Sequence, residues 1–600
     1  MKRLAAIAAL ASIATATACG STGQEDAGQG GIYTTIDGSK QINASAPINP
    51  FNPVGSVFDG YNGMALAWPK NDPIDPNQFY PAIARSWTIT PDESEAVIHL
   101  QPNARWSDGK PVTSEDVRVS IGLAYTQGGT AYALDPKAAG AAATIQVVDP
   151  TTIRITQGAN KSNTFLSNLL STVVVPAHVY GSLLPRDFWH TLKVAQDGKG
   201  APAERAKTEI TGLADKVIAF APRHDVSAGP FVLERVNPGA ALLRRNPYFY
   251  DGKLIGPDKV ELLNYSGNQQ IWNYLIAGKL DNAPFTSVPS AVLDRIRAVR
   301  GNKVIKGFSP VSTSLAFNQA RKPYDNVHVR RALAYLIDRA QVTKIASPEG
   351  GTPSLTTSGI HAEAAKVWLG AEFNGLDPYR LDPAKAAAEL KAAGMTRRGN
   401  KWALPDGRPW KVEIHVPASF SDWISAAKSI TSQLNDHGID ATVVTAADYT
   451  LYLSELAAGK YDVGFWLMGL GPSPYNIFQR LYGQANGWQM FGGRLEHVAP
   501  GTEGNWMGGP ETVTVSGTKV DPGALTSRLN FAPPAEQKQI VGTLAKVSNE
   551  QLPVIQLWDY VNTQFVNTSR YTGFPPDDSQ ALRLSSGVWM QLGMIRKRQA

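Results

Sequence analysis

The chain has 600 residues, 43% hydrophobic and 18% charged, which is the make-up of a globular protein and not of a disordered one. Against 51 Asp and Glu stand 57 Lys and Arg, a formal net charge of +6, and no Lys/Arg block marks a nucleic-acid surface. This length excludes a single core and points to two or three domains.

Met1, Lys2 and Arg3 precede an apolar stretch from Leu4 to about Ala14, then Ala16, Thr17 and Ala18, and then Cys19, the chain's one cysteine. A basic start, a short apolar run and small residues before a cut site make residues 1–18 a secretory signal. The run falls short of the ~20 apolar residues a membrane-spanning helix needs, and no later stretch qualifies. Cys19 stands where a bacterial lipoprotein signal is cut and the new terminus acylated, which would tie the protein to a membrane through lipid alone. Ala16 departs from the Leu or Val more usual at that position, and an ordinary signal with an incidental cysteine is the alternative. Loss of Lys2 and Arg3 with the signal lowers the net charge by two. Residues 19–31, rich in Gly, Ser, Thr, Gln and Asp, read as a flexible tether.

Segments 95–101, 143–156 and 257–264 carry β-branched residues at strand length between Pro, Gly and Asp turns, and predict strands. Thr113 followed by Asp116 predicts a capped helix with Val117, Ile121 and Ala124 as its buried stripe. Asp382-Pro383 opens another helix that Gly394 closes. Helices near 421–437 and 448–458 end at Gly438 and Gly459, and a buried strand, 461–467, follows. Strands alternating with helices of this length indicate α/β domains. From Tyr482 to Pro534 the chain is rich in Gly, Pro and Trp without periodicity, and predicts a long irregular loop at the rim of a binding face.

Nothing in the sequence asks for catalysis. HExxH, paired CxxC, GxSxG and GxxxxGK[ST] motifs are absent. Ser425 and Lys428 form an SxxK, but the SDN and KTG that accompany it in penicillin-recognising enzymes are missing, so this is a helix surface. Nine histidines are scattered singly, which suits surface or core positions better than a metal cage. No cofactor, metal or nucleic acid is expected.

Six collinear segments resemble the family 5 solute-binding proteins of ABC importers. The most telling are 80–125 (YPAIARSWTITPDESEAVIHLQPNARWSDGKPVTSEDVRVSIGLAY), 227–253 (SAGPFVLERVNPGAALLRRNPYFYDGK) and 315–342 (LAFNQARKPYDNVHVRRALAYLIDRAQV); 382–394, 433–468 and 550–574 complete the set. The resemblance implies an α/β, periplasmic-binding-protein-like clamp of two lobes (type II, cluster C) with an extra small subdomain. Lobe I would comprise 32–65, 222–312 and 552–600, the inserted subdomain 66–221, and lobe II 313–551. Hinge strands are expected near Pro310 to Phe317 and Pro553 to Trp558. A receptor of this kind is extracytoplasmic and monomeric. It captures a small oligomeric solute, closes, and delivers it to the permease and ATPase subunits of an importer.

Peptide-binding members commonly place an acid, which pairs with the ligand's α-ammonium, in the loop that here runs from Gly469 to Asn476. Leu470 occupies that position, and no acid lies between Asp462 and Glu496. An ammonium buried without a counter-charge costs several kcal/mol. The segments GPSPYNIFQRL and LPVIQLWDYVNTQFVNTSRYTGFP are more similar to the oligosaccharide-binding branch, and 14 Trp and 20 Tyr can supply flat faces for sugar rings. The expected ligand contacts are Trp466, Tyr475, Leu470 and Asn476 around that loop, with Phe51, Asn52 and Asn62 from the N-terminal region. Trp68, Trp488 and Trp506 are weaker candidates. An oligosaccharide is favoured; a peptide ligand, or a receptor turned to signalling or chaperone-like work, are the alternatives.

Overall fold

The computed structural model describes residues 31–38, 40–72, 77–128, 132–134, 140–197, 199–468, 473–483 and 506–598. The signal, Cys19, most of the tether, Leu470 and Trp488 lie outside the described residues.

Local signals act as their chemistry predicts. The Thr113 N–H donates to Asp116 Oδ2 at 2.6 Å at the head of the helix Ser114–Gln127, a cap worth about 1 kcal/mol. Val117 and Ile121 are buried on it, and Ala124 is half-buried. Asp382 accepts from the N–H groups of Ala384 and Lys385 at 3.1 and 3.0 Å and starts the helix Pro383–Ala392. Segment 143–156 is two strands, Ala142–Asp149 and Thr152–Gln157, paired across a turn at Pro150-Thr151. One expectation fails: the stretch to Pro534 is not all irregular. It contains the hairpin Val513–Val515 with Thr518–Val520 and the helix Pro522–Leu529. Asp521 caps that helix, accepting from the Ala524 N–H at 2.8 Å, with Pro522 in its first turn. This is the same Asp-Pro start as at Asp382, in a stretch whose Gly and Trp content obscures it.

Three main sheets organise the chain. Ile32–Thr35, Lys259–Leu263, Ala240–Arg245 and Phe231–Asn237 form the first, in that order. An antiparallel sheet of Ala84–Ile89, Glu95–Leu100, Thr152–Gln157 and Ala142–Asp149 belongs to the insertion. The largest joins Asn282–Ala283, Val554–Asn567, Asn302–Phe317, Val463–Met468, Lys411–Pro417 and Asp440–Ala446, with Thr352–Pro353 also paired to Val554–Asn567.

Asn302–Phe317 and Val554–Asn567, which contain the segments expected as hinge strands, pair side by side in this sheet. They run antiparallel from one hydrophobic core to another: Ile305 packs against the core containing Tyr33, Phe231 and Trp589, while Leu315, Ala316 and Phe317 lie in the core containing Trp410, Val463 and Leu544. Val554, Ile555, Leu557 and Trp558 also pack in that second core. The strand Val554–Asn567 thus begins in the core that also holds Leu315 and Val463. A strand can serve both lobes because each end buries its side chains in a different core. Where the strands pass between the lobes, Phe308 opposes Val561 and Ser312 opposes Asp559, so three residues face Tyr560 alone. Such a bulge breaks the ladder and gives a place to bend.

Candidate functional site

The parallel strands Lys411–Pro417, Asp440–Ala446 and Val463–Met468 end side by side and lead to the helices Ser421–Asp436, Tyr449–Ala457 and Pro474–Tyr482. Ligands of open α/β sheets settle at such carboxyl ends, where loops are free of the core. The residues there are aromatic. Phe420 stacks on Tyr449 with ring centroids 4.7 Å apart and meets Trp423 edge-on at 4.8 Å. Trp423 Nε1 donates to the Tyr560 hydroxyl at 2.9 Å, and that hydroxyl donates to Asp422 Oδ2 at 2.7 Å. Burial raises the Asp422 carboxyl, and the hydrogen bond from Tyr560 opposes it. Ser421 accepts from Asn268 Nδ2 at 3.0 Å, which joins this end of the sheet to the helix Asn268–Ile276.

Strand alternation sends Asn562 and Gln564 to one face of the strand Val554–Asn567. Both line a cavity of about 480 Å³ in lobe I, together with Asp37, Asp59, Trp68, Phe285 and Arg583. Most of these groups are held rigidly. Asn562 and Gln564 donate to the Leu582 carbonyl, and Trp68 Nε1 donates to Gln591 Oε1 at 3.0 Å. Arg583 donates to the Asn71 carbonyl at 2.8 Å and lies 4.7 Å from the Phe308 ring; burial lowers its guanidinium. Asp59 differs. Its side chain is open to the cavity and accepts no hydrogen bond among the described residues. The surrounding protein raises its carboxyl, Asp37 adds to that, and Lys40 opposes it. Phe285 is 36% exposed, a large apolar face on the cavity wall.

The expected contacts separate into two groups. Trp466, Tyr475 and Asn476 come together around the end of Val463–Met468, but Trp466 is 2% exposed. The Arg480 guanidinium lies over its ring at 4.2 Å and Trp506 meets it in a T-shaped contact at 6.3 Å, so it is a core residue behind the loop. Trp506 is fully buried beside it. Tyr475 is half-buried against the same core, and burial raises its phenol.

Phe51, Asn52 and Asn62 do not reach the cavity. Phe51 packs edge-on against Tyr180 at 6.4 Å. Asn52 donates to the Ile218 carbonyl at 3.1 Å. Asn62 accepts from the Phe58 N–H at 2.8 Å and donates to Asp225 Oδ2 at 2.9 Å. The side-chain N–H groups of Asn52 and Asn62 hold the N-terminal segment to residues more than 160 positions away. Trp68, the weaker candidate, does line the cavity. Asp59, Phe285, Asn562, Phe420 and Tyr449 were missed; the positions of Phe420 and Tyr449 just past strand ends were the available signal.

Residues 78–489 match the family model of the bacterial extracellular solute-binding proteins, family 5 (Middle). The chain belongs to this family. Family 5 proteins are extracytoplasmic solute-binding proteins of ABC transporters and are not enzymes, and the two-lobed α/β clamp is the type II periplasmic-binding-protein-like fold. A probable ABC transporter-binding protein of Deinococcus radiodurans is 26% identical over 373 residues, 57% of this chain and 57% of that relative's length. The oligopeptide-binding protein OppA of Bacillus subtilis is 24% identical over 267 residues, 44% of this chain and 46% of its own length.

Among solved structures, a periplasmic oligopeptide-binding protein of an ABC transporter from Thermotoga maritima superimposes with a TM-score of 0.72 at 18% identity, covering 96% of this chain and all of that one. A mannohexaose-bound structure of a Thermotoga maritima protein so described gives a TM-score of 0.67 at 19% identity, with 95% and 99% covered. No helix among the described residues of this family 5 protein is long and apolar enough to cross a membrane.

Proposed function

We propose that this family 5 protein is the lipid-anchored receptor of an ABC importer. In this reading it captures a neutral oligomer, an oligosaccharide in preference to a peptide, between its lobes and passes it to the permease. The observation that carries the ligand class is the make-up of the 480 Å³ cavity. The exposed ring of Phe285 stands on a wall that Trp68 also lines, beside the planar hydrogen-bonding groups of Asn562, Asp59 and Arg583. Sugars need both kinds of surface, a plane for the ring's C–H face and fixed acceptors and donors for its hydroxyls. Gly469 to Asn476 offers no carboxylate for a peptide's ammonium, which agrees with that preference. The mannohexaose complex of a protein of the same fold is consistent with it. Tyr475 and Asn476 are proposed as contacts beside the loop.

Asp59 supports the second reading. A carboxylate open to the cavity and free of hydrogen bonds among the described residues could receive a peptide's ammonium in place of the missing loop acid. Titration calorimetry with cello-, manno- and xylo-oligosaccharides and with a tripeptide pool separates the two. Heat from one sugar series and none from the peptides is expected; the reverse pattern overturns the sugar reading. Anchoring is tested apart from this: the Cys19→Ser protein should leave the membrane fraction and appear in the soluble one.

A further inference from the structure

Away from the hinge the lobes meet again, where the inserted subdomain touches lobe II. Ser162 Oγ donates to Asn530 Oδ1 at 2.6 Å, the Asn163 N–H donates to the Asn530 carbonyl at 2.9 Å, and Asn163 Nδ2 donates to the Leu529 carbonyl at 3.1 Å. Thr164 Oγ1 reaches Asn530 Oδ1 at 3.3 Å. Ser162, Thr164 and Asn530 are 1%, 7% and 4% exposed, so water does not compete for these bonds.

Both halves of this contact are braced. Gln157 Oε1 accepts from the Ser162 N–H at 2.8 Å. Gly140, at φ +74°, packs so tightly on Ser162 that a Cβ there would lie 2.5 Å from the serine's own. Opposite, Asn530 opens the turn between the helices Pro522–Leu529 and Pro534–Gln551, and Arg528 fastens those helices with two bonds to Glu536, at 2.7 and 2.5 Å.

We propose that Asn530 is the latch of lobe closure, a positioning residue that holds the inserted subdomain against lobe II and sets how long a captured solute stays. Thr164 is the N-cap of the helix Phe165–Leu170, and Ser171 at that helix's other end lines the 480 Å³ cavity. Six helical residues span about 9 Å. One short rigid element therefore ties the latch to the solute space. Rotation about the hinge strands separates the inserted subdomain from lobe II and has to break the bonds of Ser162, Asn163 and Thr164 to Leu529 and Asn530, all of which cross between the two.

The test uses the full chain with Cys19→Ser and dyes at Lys193→Cys and Lys538→Cys, two exposed positions on either side of the contact. Single-molecule energy transfer then reports open and closed populations, first on the empty protein and then with cellohexaose or mannohexaose added. Because the empty protein carries the test, its outcome is independent of the sugar reading. Asn530→Ala and, separately, Ser162→Ala should each lower the ratio of closed to open molecules about tenfold, the scale of one to two net hydrogen bonds. The double variant should do little more than either single one. Melting temperature should not move, since the bonds join lobes and not the interior of one. An unchanged closed population in both single variants overturns the proposal, as does a double variant whose effects simply multiply.

Discussion

Ser312 Oγ donates to Asp559 Oδ1 at 2.5 Å, from one hinge strand to the other, one step beyond the bulge that faces Tyr560. Asp559 is 1% exposed and also accepts from Ser354 Oγ at 2.8 Å and from the Ala362 N–H at 3.0 Å. A buried carboxylate is tolerable only when its lone pairs are filled, and here three separate segments fill them. The network ties the two strands together just past the bulge formed by residues 309–311 opposite Tyr560.

Removing that carboxylate should therefore unfold lobe II before it affects solute binding. Asp559→Ala leaves Ser312, Ser354 and the Ala362 N–H without their acceptor, and should lower the unfolding free energy by about 3 kcal/mol in urea titrations. Ser312→Ala, which removes one donor of three, should cost about 1 kcal/mol.

Trp466→Ala is expected to act as a core deletion. The residue is 2% exposed, with the Arg480 guanidinium over its ring and Trp506 in a T-shaped contact, so its loss should destabilise the protein by about 3–5 kcal/mol, measured by denaturant unfolding. Phe285→Ala, by contrast, removes an accessible face from the cavity wall. It should leave the unfolding midpoint within error and weaken oligosaccharide binding by roughly 1–2 kcal/mol in calorimetry.

Asp225 supplies a pH dependence whose sign follows from its environment. It is half-buried beside Asn62 and the Leu233 N–H, and the surrounding protein pushes its carboxyl up to about 6 against the opposition of those two donors. The unfolded chain returns it to about 4, so between these values the folded state holds the proton more tightly. Its contribution is fully present below about pH 4 and is lost as pH rises through 6, a change of about 3 kcal/mol. Asp225→Asn should flatten the difference in unfolding free energy between pH 4.5 and 7 relative to the parent protein, while keeping an oxygen for the Leu233 N–H. A pH profile identical to the parent's would show that Asp225 does not titrate in this range.

Asp59→Asn keeps the shape of the cavity wall and removes its accessible charge. Under the sugar reading the affinity for the preferred oligosaccharide should fall about tenfold, the scale of one charge-assisted hydrogen bond. A tripeptide ligand would lose considerably more, because its ammonium would have no counter-charge. Calorimetry on the two proteins distinguishes these outcomes.

What the amino-acid sequence determined by itself is whatever its neighbours along the chain decide. Thr113 finds Asp116 three residues on, Asp382 finds the N–H groups of 384 and 385, and Gly394, Gly438 and Gly459, all with positive φ, end their helices. These interactions close within one turn, so a linear reading recovers them, and the order of such elements was enough to resemble the family.

The site belongs to the tertiary structure. Asp59, Phe285 and Asn562 are separated by hundreds of residues yet share one cavity. Asn62 spends its amide on Asp225, and Trp466 turns the side of its strand toward Trp506 and Arg480. Alternation along a strand says that two faces exist, but which face meets solvent depends on what the other lobe and its helices cover. Burial is a property of the assembled lobes, and no residue carries it alone.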